Sequence, residues 1–189
     1  MKSKLRGRCQ TALRIGVFIT LFGLTGCVID RSILVAPGEE RGAIRVIDGN
    51  LEIARGGRVA SVRAIDGDIL LQPESLIGGR VRITDGKLSA QKGAKIGGSL
   101  VAHHATLNLD GARIEGDVEI FCTGGTITNT EILTELRVRK KALWHVRCDV
   151  QNRLEIGPGT TISKLTIESA ETDVIISEEA SVGEISGKT

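Results

Sequence analysis

Tyrosine is absent, and the other aromatics amount to three phenylalanines and one tryptophan. Two of these four, Phe18 and Phe22, lie near the N-terminus, which leaves Phe121 and Trp144 for everything else. Ordinary globular cores lean on large aromatic side chains, so this interior has to be filled by Ile, Val, Leu and Ala. The shortage also argues against single-stranded nucleic acid, whose bases stack on aromatic rings, and against a row of exposed rings that would hold a sugar. Proline is scarce, at 3 residues, and long loops with clustered acids are missing, so little wall is left from which to build a catalytic pocket. Glycine is plentiful, at 24 residues, and recurs at regular positions.

That regularity belongs to a repeat. The stretch from Val81 to Gly98 holds a short alternating strand (Val81, Ile83), an Asp-Gly turn (Asp85-Gly86), a second strand start at Leu88, and Ile96 before Gly97-Gly98. Apolar residues return about every six positions, among them Val35, Ile47, Ile53, Val59, Ile65, Leu71, Ile77 and Ile83. Three such steps make a coil of about 18 residues. One column then reads Ile65, Ile83, Ala102, Ile120, Val138, Ile156, Val174; a second Val59, Ile77, Ile96, Ile114, Ile132, Val150; a third Val62, Val81, Leu100, Val118, Leu136, Leu154. Residues two apart on a strand point the same way, so Leu51/Ile53, Val81/Ile83, Leu107/Leu109, Val118/Ile120, Leu136/Val138 and Leu154/Ile156 face inward in pairs. Asp48-Gly49, Asp66-Gly67 and Asp85-Gly86 fall at one corner, where Asp tolerates a turn and Gly supplies positive φ. Gly56-Gly57, Gly78-Gly79 and Gly97-Gly98 fall at another. A single repeat cannot bury its own apolar face and has to stack. The expected fold is an all-β, single-stranded, three-sided β-helix over residues 32–186, with about eight coils and a tail at 187–189. The register is weakest from Arg139 to Asn152, where glycines vanish, and from Glu168 to Val182, where the spacing grows by about two residues.

Residues 1–26 read as a targeting segment. Lys2, Lys4, Arg6, Arg8 and Arg14 form a basic region, and the apolar run from Ile15 to Leu24 is too short to span a bilayer. The run ends in Leu24-Thr25-Gly26-Cys27, which resembles the bacterial lipobox. The resemblance implies cleavage before Cys27, diacylglycerol on its sulfur, and a short tether at 27–31. Multiple acyl chains would hold the protein stably on a membrane. Val28 in the next position implies the outer membrane rather than the inner. Loss of the five basic residues leaves 20 basic against 23 acidic side chains, a mature charge of −3 in place of +2. The basic balance therefore belongs to the targeting segment and gives no argument for nucleic acid.

Period six resembles two families, the hexapeptide-repeat acyltransferases and the bactofilins, which are polymer-forming bacterial cytoskeletal proteins. The acyltransferase motif places a small residue two positions before each main aliphatic. Here that position holds Leu51, Val81, Leu88, Leu100, Leu107, Val118, Leu136 and Leu154. The V-x-I and L-x-I pairs with Gly-rich corners resemble bactofilins more, which implies a right-handed coil and a non-enzymatic role in self-assembly through ends or faces of the rod. The acyltransferase alternative implies His103 or His104 as general base. Ala102 points inward, which turns His103 outward and leaves His104 near a corner; neighbouring strand side chains diverge, which disfavours one shared metal. Arg137, Arg139, Lys140, Lys141, Arg147 and Arg153 form a basic cluster. Its outward columns read Glu119, Arg137, Glu155 and Asp117, Glu135, Arg153, as expected of a solvated charge ladder. Cys122 and Cys148 lie 26 residues apart, not in one column, so they read as buried thiols filling space; a disulfide needs the irregular coil to bring them within about 6 Å. Trp144 reads as a plug in an aliphatic column. No cofactor, metal or nucleic acid is called for; the expected partners are membrane lipid at Cys27, further copies of the chain, and other components of the cell envelope.

Overall fold

The computed structural model describes residues 32–139, 152–169 and 172–187, together with the main chain of 26–29. All described strands pair in parallel with the turns before and after them, as one continuous sheet wound into a β-solenoid of about 7 turns, about 19 residues each. The pairing gives three faces. On the first, Ile44, Val62, Val81, Leu100, Val118, Leu136 and Leu165 succeed one another in register. On the second run Ile33, Leu51, Ile69, Leu88, Leu107, Gly125, Leu154 and Val174. On the third run Val59, Ile77, Ile96, Ile114, Ile132, Ile162 and Val182. At about 4.8 Å per turn, seven steps on the second face make a rod about 34 Å long.

The interior is a file of aliphatic side chains, with Leu51, Ile53, Ile77, Ile83, Leu88, Leu100, Leu107 and Ile114 all at most 1 % exposed. Among the described residues its members run from Ile33 to Leu165. The first and second faces send in two residues per turn, mostly large, with Ala64, Ala102, Ala90 and Gly125 as the small ones. The third sends in one, preceded by a small residue at the corner: Gly57, Ser75, Ala94, Ala112, Thr130, Thr160 and Ala180. Large residues two positions before the main aliphatic thus occur on two faces and not on the third. The hydroxyls in that small column are buried but satisfied, since burying one unpaired is costly. Ser75 donates to Gln72 O (2.7 Å), Thr130 to Thr128 O (2.8 Å) and Thr160 to Ile127 O (3.0 Å).

Two corners hold left-handed residues at a fixed place in each turn. Asp48, Asp66, Asp85, His104 and Cys122 occupy one, with φ of 53°, 52°, 53°, 50° and 44°. Gly38, Gly56, Glu74, Gly93, Gly111, Asn129 and Gly159 occupy the other. Beside the first, a Cβ on Gly67 would lie 1.9 Å from Gly49 O, so the second residue of the Asp-Gly pair is glycine for closeness of approach. Asn50 Oδ1 accepts from Asp68 N (3.2 Å), and Asp68 Oδ1 from Lys87 N (2.8 Å), which ties this corner from turn to turn.

Several sequence expectations need correction. Gly56-Gly57 does not share a corner with Gly78-Gly79 and Gly97-Gly98; the latter two stack on each other at the third corner. Ile83 pairs with Ala64, not Ile65, and Ile65 and Ile47 lie outside the core, half-buried. A strict count of six steps one residue past the true inward position in these first turns, because Val46 and Ala64 are equally apolar and already fill the place. Beyond Val138 the columns shift. Leu136 pairs with Leu165 and Leu154 with Gly125, steps of 29 residues, and Ile132 pairs with Ile162 rather than Val150. One turn is therefore about ten residues longer than the rest, which yields about seven turns instead of eight. Residues 140–151, with Lys140, Lys141, Trp144, Arg147 and Cys148, lie outside the described residues. The expected growth near Glu168 is seen as a 20-residue step from Leu165 to Ile185. At the N-terminal end the stack begins before Ile33, because the main chain of Gly26–Ile29 pairs with residues 44–47.

Candidate interaction face

The outward side of the first face carries two parallel columns of side chains. The first reads Arg45, Arg63, Arg82, Val101, Glu119, Arg137; the second reads Ile47, Ile65, Thr84, His103, Phe121. In the early turns the face is a ladder of arginines beside outward isoleucines. Arg45 and Arg63 are exposed, Arg82 is half-buried, and none of their side chains makes an ion pair or hydrogen bond with a described residue. Arg82 Nε is shut away from solvent with no acceptor. Like charges on adjacent strands repel, so the three guanidiniums are an uncompensated strip. The nearest carboxylates along the chain, Asp48, Asp66 and Asp85, stand at the corner three residues on, beyond the isoleucine column.

The later turns resolve the same geometry differently. Glu119 and Glu168 each hold both Arg137 and Arg139: the Glu119 contacts are 3.9 and 3.5 Å, those of Glu168 3.8 and 3.7 Å. Arg137 also pairs with Glu135. Thr166 donates to Glu135, the main reason this carboxyl titrates below its ordinary value; Arg137 adds to the effect, against the cost of desolvation. The expected Glu119–Arg137 neighbours are therefore present. Glu155 and Arg153 are not in those columns: they lie on the second face and pair with each other at 2.8 Å. The long turn moved them.

His103 is exposed on the face and His104 sits at the corner, as the parity of Ala102 required. The Phe121 ring lies 5.8 Å from both imidazoles, edge-on to His103. Partial burial is the largest reason that His103 titrates below 6.5, with Arg82, His104 and Arg139 acting in the same direction and Glu119 against them. No described residue hydrogen-bonds either ring, so none of them fixes a tautomer. Among the described residues no three His, Cys, Asp or Glu side chains gather as a metal would need.

Cys122 departs from the expected free thiol: it is disulfide-bonded. It is 7 % exposed, at the left-handed corner position. Its expected counterpart Cys148 lies outside the described residues. The turn that follows Cys122 is the 29-residue one, so the argument from an 18-residue column no longer separates the two cysteines.

The sixfold count hides the arginine ladder, because it places Ile47 and Ile65 inward and makes Arg45 and Arg63 incidental neighbours. The signal was present: Arg-Val-Ile, Arg-Ala-Ile and Arg-Ile-Thr begin at residues 45, 63 and 82, one turn apart. Comparison with protein families, curated proteins and solved structures finds no match for this chain.

Proposed function

We propose that this chain is a lipid-anchored, non-enzymatic structural protein of the bacterial envelope, outer membrane rather than inner, which assembles with further copies through the ends of its solenoid, much as bactofilins do. One observation carries the reading, the exposed core positions of the last described turn. Ile185 is 60 % exposed although its register partner Leu165 is fully buried, and Ile176 is 36 % exposed above a buried Ile156. These are core positions without a next layer among the described residues. The outer edges of Thr172–Ile176 and Ser181–Gly187 likewise offer main-chain groups that no described strand pairs. Such an edge is a template for another chain. A head-to-tail contact of this kind, repeated, gives a filament rather than a closed pair.

The lipobox-like run ending at Cys27 supports membrane anchoring, and a disulfide at Cys122 fits an exported protein, since disulfides persist in oxidising compartments. His103 and His104 are read as surface residues, because no described residue orients either ring and geometry comes before pKa in assigning a base. The test is the solution state of the chain from residue 27 onward. Sedimentation and electron microscopy are expected to show concentration-dependent rods or filaments, abolished by the Ile176→Asp, Ile185→Asp double variant. A clean monomer at high concentration, with no filaments, removes the assembly reading. Mass spectrometry of the protein extracted from membranes tests the acyl groups on Cys27 separately. A left-handed coil in an experimental structure would reopen the acyltransferase alternative.

A further inference from the structure

We infer that the basic and aliphatic strip on the first face, Arg45, Arg63 and Arg82 beside Ile47 and Ile65, lies against an anionic phospholipid surface. The inference rests on the proposed anchoring at Cys27 and adds an orientation to it. Cys27 is the register partner of Arg45, so the residue proposed to bear lipid is the rung directly before the arginine ladder. Counting from that rung, Arg45, Arg63 and Arg82 follow at successive steps of about 4.8 Å and would be the first side chains of this column to reach the headgroups.

Three features favour a membrane. The guanidiniums are uncompensated by any described side chain, and Arg82 Nε has no acceptor. Arginine binds phosphate oxygens bidentately, so a layer of phosphates supplies what this face lacks. The outward isoleucines have no use in water but are suited to the boundary between headgroup and acyl chain, where amphipathic surfaces bury an apolar column beside a basic one. Among the described residues of this face the unpaired charge also lies at the anchor end, since Arg137 and Arg139 are already held by Glu119 and Glu168. A soluble polyanion would use the arginines and have no need of the isoleucines.

The experiment uses the chain from residue 26 onward with Cys27→Ser. It retains every described strand, from Gly26–Ile29 onward, and carries neither acyl chain nor targeting segment. Binding is measured by co-sedimentation with phosphatidylcholine vesicles, with and without phosphatidylglycerol. The expected result is binding to the anionic vesicles only, falling with salt. An Arg45→Gln, Arg63→Gln, Arg82→Gln variant is expected to lose on the order of 100-fold in partitioning, given the usual contribution of a surface-bound arginine. Ile47→Ser with Ile65→Ser should weaken it too. A control with Arg55, Arg113 and Arg153 changed to Gln, on other faces and corners, should bind like the parent. Equal binding to neutral vesicles, or an equal loss in the control, overturns the inference. So does insensitivity to the isoleucine changes with equally tight binding of inorganic polyphosphate, which would make the ligand a soluble polyanion. Because this chain is unacylated, failure here leaves the anchoring at Cys27 untouched, and an unmodified Cys27 in cells would leave the vesicle result standing.

Discussion

In the early turns of the first face Arg45, Arg63 and Arg82 stack cation upon cation, whereas in the later turns Glu119, Arg137, Arg139 and Glu168 alternate sign. Backbone, pairing and inward residues are of one kind in both regions: Val62 and Val81 below the one, Val118 and Leu136 below the other, all at most 3 % exposed. Because the interior is alike, the outward charges were free to differ. In a solenoid each turn answers only to its neighbours, so the core is specified turn by turn while the surface can hold a neutralised stretch and an uncompensated one within a few turns. Among the described residues of this face the difference locates the charge that is left without a counterion.

The largest expected effect tests the shared interior. Leu100→Ala, in the middle of the rod and fully buried, should cost about 2–5 kcal/mol, while Ile185→Ala at the open end should cost under about 1 kcal/mol because most of that side chain is already in water. Urea unfolding of both variants measures the contrast; equal losses would mean that the end is covered in solution. Next comes the corner beside the arginine strip. Gly67→Ala places a methyl against Gly49 O and should destabilise by about 1–3 kcal/mol, whereas Ala105→Gly, where the corner already accommodates a Cβ, should cost under about 1 kcal/mol.

Charge removal should change sign between the two regions. Arg137→Gln breaks contacts to Glu119, Glu135 and Glu168 and should destabilise by up to about 1 kcal/mol, discounted because the side chains are partly exposed. Arg63→Gln relieves repulsion from Arg45 and Arg82 and should stabilise by a few tenths of a kcal/mol, about the size of a cross-strand charge term. Added salt should shrink both effects. The smallest expected effect is that of pH at the boundary between the regions. His103 titrates below 6.5 when folded, with Arg82, His104 and Arg139 favouring its neutral form and Glu119 opposing. The unfolded chain therefore takes up a proton first, and stability falls as pH drops below about 6.5. His103→Gln should flatten that part of a stability–pH profile, and an unchanged slope would place its origin elsewhere.

The repeat was readable where inward residues alternate with clearly polar ones. Val81/Ile83, Val118/Ile120 and Leu136/Val138 stand where period two put them, and His103 and His104 followed from the parity of Ala102. Legibility failed where two adjacent residues are both apolar, as at Val46-Ile47 and Ala64-Ile65, because hydrophobicity alone cannot say which of the two faces in. It failed again past Val138, where Leu154 and Ile156 sit at the right sixfold distance from Leu136 and Val138 but belong to another face. The loss of glycines from Arg139 to Asn152 marks where the register weakens, but a stretch that nearly keeps the sixfold spacing hides how long the turn has become.

By itself the sequence determined the architecture. Aliphatic residues at period two on strands and about six along the chain, with Asp-Gly and Gly-rich corners and almost no aromatics, can bury their surface only by stacking as narrow coils. The tertiary structure decided the register: which isoleucines lie outside, which turn is long, that Cys122 is bonded, and that three arginines 18 and 19 residues apart form one strip beside the strand carrying Cys27. The physical reason is that stacking is set by hydrogen bonds between turns, which join residues a whole turn apart, and a local pattern of hydrophobicity carries no count of how long each turn is.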